Sequence, residues 1–292
     1  MKNYIRIFMI LFVFGFAILA SCNKDDDDEN NNNVDTVETQ YNKQEAVDAT
    51  LATNVYGEAI GYVAKYSDSE DSKLPQIDCP TVSLEPTTGY PKTLLIDFGA
   101  EGCDANGHTI KGKITAELSG RIREEGTIIS ISFNEFSIDT LAVGGTISLT
   151  VDEASVVINK IIKLTAEVSD ATISMPSGTI STAGNLSITW EMNELLNYED
   201  DLLKTTALSL TGTSRSGKSL TASLLEELTY NISCMETTQG KIEVSSTENE
   251  FPATIDFGGG TCDGVAEITT TISVTVGNQT INKTITEEIV LP

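Results

Sequence analysis

Few side chains in this sequence of 292 residues could begin a reaction. His108 is the only histidine, so a Ser/His/Asp or Cys/His nucleophile system would have to be built on it alone. A histidine-based zinc site would need partners of another kind. Asn106-Gly107 immediately before it reads as a hairpin tip that leaves the ring in solvent. Gly212-Thr213-Ser214-Arg215-Ser216-Gly217-Lys218-Ser219 satisfies the phosphate-loop pattern letter for letter. Phosphate binding there requires a parallel strand before the loop and a helix after it, whose first amides cradle the anion. Leu220, Leu224 and Leu228 could line such a helix, but Leu208, Leu210, Leu220, Ala222 and Leu224 also fit two alternating strands around a Ser-Arg-Ser-Gly turn. No nucleotide is expected. The 43 acidic residues offer many carboxylate pairs for glycosidase-type acid–base work, a reading that a concave pocket holding two of them would support.

A repeat carries the other suggestive motif. Tyr90-Pro91 leads to Ile96-Asp97-Phe98-Gly99, three residues and Cys103-Asp104, while Phe251-Pro252 leads to Ile255-Asp256-Phe257-Gly258, three residues and Cys262-Asp263. Each copy has an upstream cysteine, Cys79 and Cys234. Asp-Phe-Gly is also the magnesium-binding triplet of protein kinases, but none of the accompanying kinase motifs is present. An aromatic strand end entering a glycine turn is the reading it supports. Asp97, Asp104, Asp256 and Asp263 could supply calcium with oxygen ligands, yet Asp104-Ala105-Asn106-Gly107 lacks the rest of a calcium loop. Aspartates capping turns are expected instead, with no metal and no cofactor.

Between Gln44 and Tyr66 the apolar positions Val47, Leu51, Val55, Ala59 and Val63 recur every fourth residue, with Tyr62 and Tyr66 flanking them, which predicts a helix with one buried face. Beyond Ser67 the period falls to two. Lys113–Leu118, Thr127–Phe133, Thr146–Val151 and Thr271–Val276 are Thr-, Ile- and Val-rich runs, each a strand with one wet face. Asn106-Gly107, Gly144-Gly145, Ser177-Gly178 and Gly277-Asn278 are the expected turns between them. No stretch alternates strands with full helices, so a doubly wound parallel fold is not expected. The fold class is mainly β: an antiparallel sandwich or meander with one N-terminal α-helix packed on it. Two related halves, about 67–150 and 205–292, would account for the repeat. One continuous sheet is favoured, because nothing Pro- or Ser-rich separates them.

The N-terminus reads as an address. Lys2 and Arg6 precede an apolar run from Ile7 to Ala20, shorter than the roughly 20 residues a membrane-spanning helix requires. The run ends Leu19-Ala20-Ser21-Cys22, which resembles the bacterial lipobox. That resemblance implies cleavage after a signal peptide of residues 1–21 and acylation of Cys22, whose lipid would hold the protein in the outer membrane. Residues 22–43 form an acidic tether: Asp25, Asp26, Asp27, Asp28 and Glu29 precede an asparagine run, with no apolar group before Val34 to offset the ordering entropy. An acidic cluster behind the lipidated cysteine resembles the signal by which Bacteroidota display lipoproteins at the cell surface, and a solvated run facing the periplasm is the alternative. Asp35-Thr36-Val37 is similar to the short pattern these bacteria O-glycosylate, at Thr36. Residues 44–292 remain for the folded domain. In an exported, oxidising setting an even number of cysteines pairs, and the four beyond Cys22 allow three connectivities. The repeat selects Cys79–Cys103 and Cys234–Cys262, which close equivalent loops worth about 3–4 kcal/mol each. A metal site is the alternative, although no pair has Cys-x-x-Cys spacing.

The net charge of −25 excludes most nucleic-acid partners, since no cluster of Lys or Arg opposes the field. With 6% aromatic residues and one Trp, the chain also lacks the ring platforms of many glycan and base-stacking surfaces. The assembly resembles a family of Bacteroidota surface lipoproteins, over most of residues 79–264. The matching stretches are Ile96-Asp97-Phe98-Gly99 through Cys103, Asn106-Gly107 with Lys111-Gly112-Lys113-Ile114, Gly120-Arg121-Ile122-Arg123, Gly126-Thr127 and Phe133-Asn134-Glu135-Phe136. Thr211-Gly212-Thr213 with Gly217-Lys218-Ser219, Cys234, and Asp256-Phe257-Gly258 to Cys262-Asp263 complete them. Gly144-Gly145 departs from relatives that carry an acidic residue before the glycine. The resemblance implies a strand-turn-strand at Gly217-Lys218-Ser219 and carries over no catalytic or binding residue. The expected function is therefore a non-catalytic surface interaction or structural module, with a surface protein or glycan as partner. A carboxylate hydrolase of envelope or dietary polymers and a calcium-supported adhesin are the alternatives.

Overall fold

Period-two patterning extends over nearly the whole folded chain, and strands follow it. A computed structural model describes residues 43–67, 79–105, 107–193, 200–248, 251–276 and 279–291. The expected signal peptide, Cys22, Thr36 and the expected tether up to residue 42 lie outside these residues, whereas Lys43, which the tether was expected to include, is the first residue of the helix. One helix, α1 (Lys43–Ser67), is followed by β1 (Thr81–Glu85), β2 (Lys92–Ala105), β3 (His108–Leu118), β4 (Ile128–Ile138), β5 (Leu141–Ser155), β6 (Ile161–Met175) and β7 (Gly178–Glu191). Then come β8 (Leu202–Thr213), β9 (Ser219–Asn231), β10 (Glu236–Ser245), β11 (Ala253–Gly259), β12 (Val265–Val276) and β13 (Gln279–Val290). All 13 strands form one sheet in chain order, each antiparallel to its neighbour. Of the two expected antiparallel arrangements, the molecule is the meander, and strands of both repeat segments belong to the same sheet. The sheet is not closed: β1 and β13 are its edges.

The sheet curls about the helix. Inward residues such as Ile114, Ala116 and Leu118 of β3 and Ile162, Leu164 and Ala166 of β6 are buried, while outward Thr, Ser, Lys and Glu stay wet. α1 packs against β2, β7, β9, β10, β11 and β12. The expected single buried face is therefore too narrow: the helix is enclosed, and 19 of its 25 residues are buried. Small side chains, Ala46, Ala49, Ala52, Ala59 and Ala64, let strands approach from several directions. Gly57 and Gly61 form a notch for the Tyr230 ring, where a methyl group would lie 2.8 and 2.9 Å from ring carbons. Several of the polar groups so enclosed are satisfied locally or by the sheet: Thr50 and Thr53 donate to the Ala46 and Ala49 carbonyls, Tyr56 bonds Thr182, and Asn54 accepts the Thr237 N–H.

Gly144-Gly145 is not a turn. It lies inside β5 as a bulge, where the register to β6 slips and Gly145 has φ 96°. A turn signal and a bulge signal are alike in sequence, because both ask for a positive φ.

Candidate functional site

The repeat becomes a structural device. In each copy the aspartate caps the glycine two residues on: the Gly99 N–H donates to Asp97 at 2.8 Å and the Gly258 N–H to Asp256 at 2.9 Å. Both glycines have positive φ and the phenylalanine between is buried. Each carboxylate also pairs with the lysine opposite it on an adjacent strand, Asp97 with Lys113 and Asp256 with Lys241. These interactions hold the Asp97 carboxyl below the usual carboxylate range. The triplet is thus an aspartate-capped bulge. Beyond it, Cys79 and Cys103 lie at disulfide distance with Cα atoms 5.7 Å apart, as do Cys234 and Cys262 at 6.1 Å.

The second copy's disulfide and the β2–β3 hairpin of the first border one cavity, of about 350 Å³. α1 supplies two enclosed side chains, Glu58 and Tyr62, only 6% and 5% exposed. Ala105, Met235, Leu291 and the Cys234–Cys262 pair form much of the wall, and His108, Glu236 and Asp263 stand nearer solvent. His108 stays partly exposed at the hairpin, as its turn position suggested, but its ring is also held by a carboxylate. Its Nδ1 meets Asp139 Oδ2 at 2.8 Å, and Asp139, at the β4–β5 turn, also accepts the Thr109 N–H. Burial raises the Asp139 carboxyl, but the His108 and Thr109 hydrogen bonds outweigh it and hold the group below its ordinary range.

The carboxyls around the cavity differ in what they have to bond. Glu236 accepts the Gly264 N–H at 3.3 Å, and Asp263 accepts from Val265 N–H and Thr261 Oγ1. Glu58 makes no hydrogen bond or ion pair among the described residues. Burial first, and then the field of Asp139, pushes its pKa up from 4.5 to about 8, so it is largely a neutral acid at pH 7. Burial also raises Tyr62, Tyr230 and Glu236. Among the described residues no lysine or arginine lines the cavity. Glu236 comes within 4.8 Å of the Cys234 and Cys262 sulfurs, but those are spent on each other, and no other three His, Cys, Asp or Glu groups converge so closely among the described residues.

The phosphate-loop pattern also finds its place. Thr213 ends β8, Ser219 opens β9, and a tight turn joins them with the Ser214 N–H donating to the Lys218 carbonyl at 2.8 Å. The anions this turn holds are carboxylates of α1. Arg215 grips the fully buried Asp48 through its backbone N–H at 2.7 Å and its guanidinium, and Ser216 Oγ donates to Glu45 at 3.2 Å. A strand replaces the helix that phosphate binding requires.

No protein family, curated protein or solved structure matches this chain. Glu58, Asp139 and Glu236 were not singled out from the sequence. Glu58 had one signal available, a carboxylate in a helix whose neighbours Val55, Ala59 and Tyr62 are apolar. Asp139 and Glu236 had none, because each meets the cavity only through strand pairing.

Proposed function

We propose that this protein is an outer-membrane lipoprotein, anchored through acylated Cys22 and displayed at the cell surface, that acts as a non-catalytic binding module. The order of charge, apolar run, small residues and Cys22 supports the anchor, and Asp25–Glu29 support display. Thr36 would lie in the tether between anchor and fold, open to glycosylation. Surface partner and small ligand alike would meet the folded part at its cavity.

One observation carries the binding reading: a cavity of about 350 Å³ with an enclosed carboxyl that has no hydrogen-bond or ion-pair partner among the described residues. Such a group is costly to bury and is repaid when a ligand bonds it. A carboxylate hydrolase is the second reading, because Glu58 is a protonated acid near Glu236 and Asp263 at neutral pH. Binding is favoured over it, since hydrolysis needs a second carboxyl free to act as base or nucleophile, and Glu236 and Asp263 are committed to backbone N–H groups. A calcium-supported adhesin has less to draw on, with Asp97 and Asp256 occupied by their glycine caps and lysines.

The test uses the single histidine. A library of small charged and neutral molecules is titrated against the mature chain while the His108 imidazole resonance is followed, and envelope and dietary polymers are assayed for cleavage in parallel. Saturable shifts without product are expected. Product that disappears in Glu58→Gln would install the hydrolase reading, and a library that never shifts His108 would remove the binding one. Labelled palmitate should enter the wild type and not Cys22→Ala, and equal labelling would refute the anchor.

A further inference from the structure

The cavity's charge narrows its ligand, and any assignment of that ligand rests on the binding function proposed above. The side chains facing it are Glu58 and Tyr62 from α1, Glu236 from β10, Asp263 from the β11–β12 loop and His108, which Asp139 holds from the β4–β5 turn. No described residue of this lining is a lysine or arginine, so an anionic ligand would meet repulsion from these side chains without a fixed counter-charge among them. Glu58 is the decisive member. It is 6% exposed, borders the cavity, and has no hydrogen-bond or ion-pair partner among the described residues. An acid in that position accepts a hydrogen bond best from a donor that also brings positive charge. A bare metal ion suits the cavity poorly, because the carboxyls do not converge on one point: the only close trio among the described residues includes two disulfide sulfurs. Apolar wall from Ala105, Met235 and Leu291 separates the acids and calls for a ligand with a hydrocarbon body.

We infer that the cavity binds a small organic cation, an aliphatic amine whose ammonium group is held by Glu58 while Glu236 and Asp263 favour positive charge at the entrance. Pairing with an ammonium would ionise Glu58, so binding releases a proton from it near neutral pH and tightens as pH rises toward about 8. Glu236, raised in the same way, acts in that direction. Tyr62 and Tyr230 stay protonated throughout this range, and Asp139 stays ionised.

Cadaverine, pentanediol and glutarate share a five-carbon length and differ in charge, so they are the probes. Each is titrated against the mature wild type, Glu58→Gln and the exposed control Glu117→Gln, following His108 by NMR and heat by calorimetry. Cadaverine should shift His108 saturably, pentanediol and glutarate should not, and Glu58→Gln should weaken cadaverine about tenfold or more while Glu117→Gln leaves it unchanged. Cadaverine heats measured in buffers of different ionisation enthalpy should report proton release in the wild type and less in Glu58→Gln. Equal cadaverine affinity in Glu58→Gln would mean diffuse attraction to an acidic protein and would overturn the inference. Saturable binding of pentanediol or glutarate without cadaverine would overturn the cation and leave the binding module standing. Silence from all three probes would also overturn the cation, and the wider library would then decide the module itself.

Discussion

Replacing Glu58 by Gln should stabilise the protein, and the gain should depend on pH in one direction. Glu58 is buried without a hydrogen-bond or ion-pair partner among the described residues and its pKa rises from 4.5 to about 8, so between those values the folded state keeps a proton that the unfolded chain releases. The unfolded state therefore binds fewer protons, and stability falls as pH rises through this window. At about 1.4 kcal/mol per pH unit, the penalty at pH 7 is on the order of 3 kcal/mol, reaching 4–5 kcal/mol above pH 8. Gln fills nearly the same space and cannot ionise. Urea melts of wild type and Glu58→Gln across pH 4 to 9 isolate this group, because Glu236 and Asp139 titrate in both proteins. The two curves should coincide near pH 4 and separate by roughly 3 kcal/mol at pH 7, or about 6–12 °C in melting temperature for a domain of this size. A Glu58→Gln variant that is less stable than wild type at pH 8, or a gap that does not change with pH, would refute the claim that Glu58 is an unpartnered buried acid.

Other perturbations probe the frame around that site. Gly61→Ala places a methyl group 2.9 Å from a Tyr230 ring carbon and should cost about 1–3 kcal/mol in a denaturant melt. Tyr230→Phe, which removes a buried hydroxyl without a partner, should be neutral or gain up to about 1 kcal/mol. Arg215→Ala leaves Asp48 buried without its ion pair and should cost about 3–5 kcal/mol, most of it recovered in Asp48→Asn/Arg215→Ala. Lys218→Ala, at the position a phosphate loop would need most, should change stability by less than about 0.5 kcal/mol. Breaking one disulfide with Cys103→Ser plus Cys79→Ser should cost about 3–4 kcal/mol, and mass spectrometry should find no free thiol in the oxidised wild type outside Cys22. A wild type with free thiols at Cys79 or Cys234 would undo the pairing.

Local periodicity is written residue by residue, and here it suffices for the helix and for the strands with the clearest alternation. The four-residue stripe from Val47 to Val63 is a helix, and the Thr-Ile-Val alternation is a meander of strands, because backbone geometry sets both periods. The repeat was legible too: Asp97 and Asp256 cap their own neighbours, a bond that spans two residues and needs no knowledge of the fold. The same repeat named the cysteine pairs that stand at disulfide distance. The enclosure of the helix was not legible, since curling a sheet until it meets α1 from several sides is a sum over many strand twists. The partners of Arg215 and His108 were equally hidden, lying 167 and 31 residues away at Asp48 and Asp139. An arginine in a Gly-rich turn looks the same whether it faces a phosphate or a buried aspartate. Glu58 shows the division most clearly. Sequence placed it on a helix among apolar residues, but only the curled sheet enclosed it with no donor among the described residues, and that turned an ordinary carboxylate into a neutral acid at the side of a cavity.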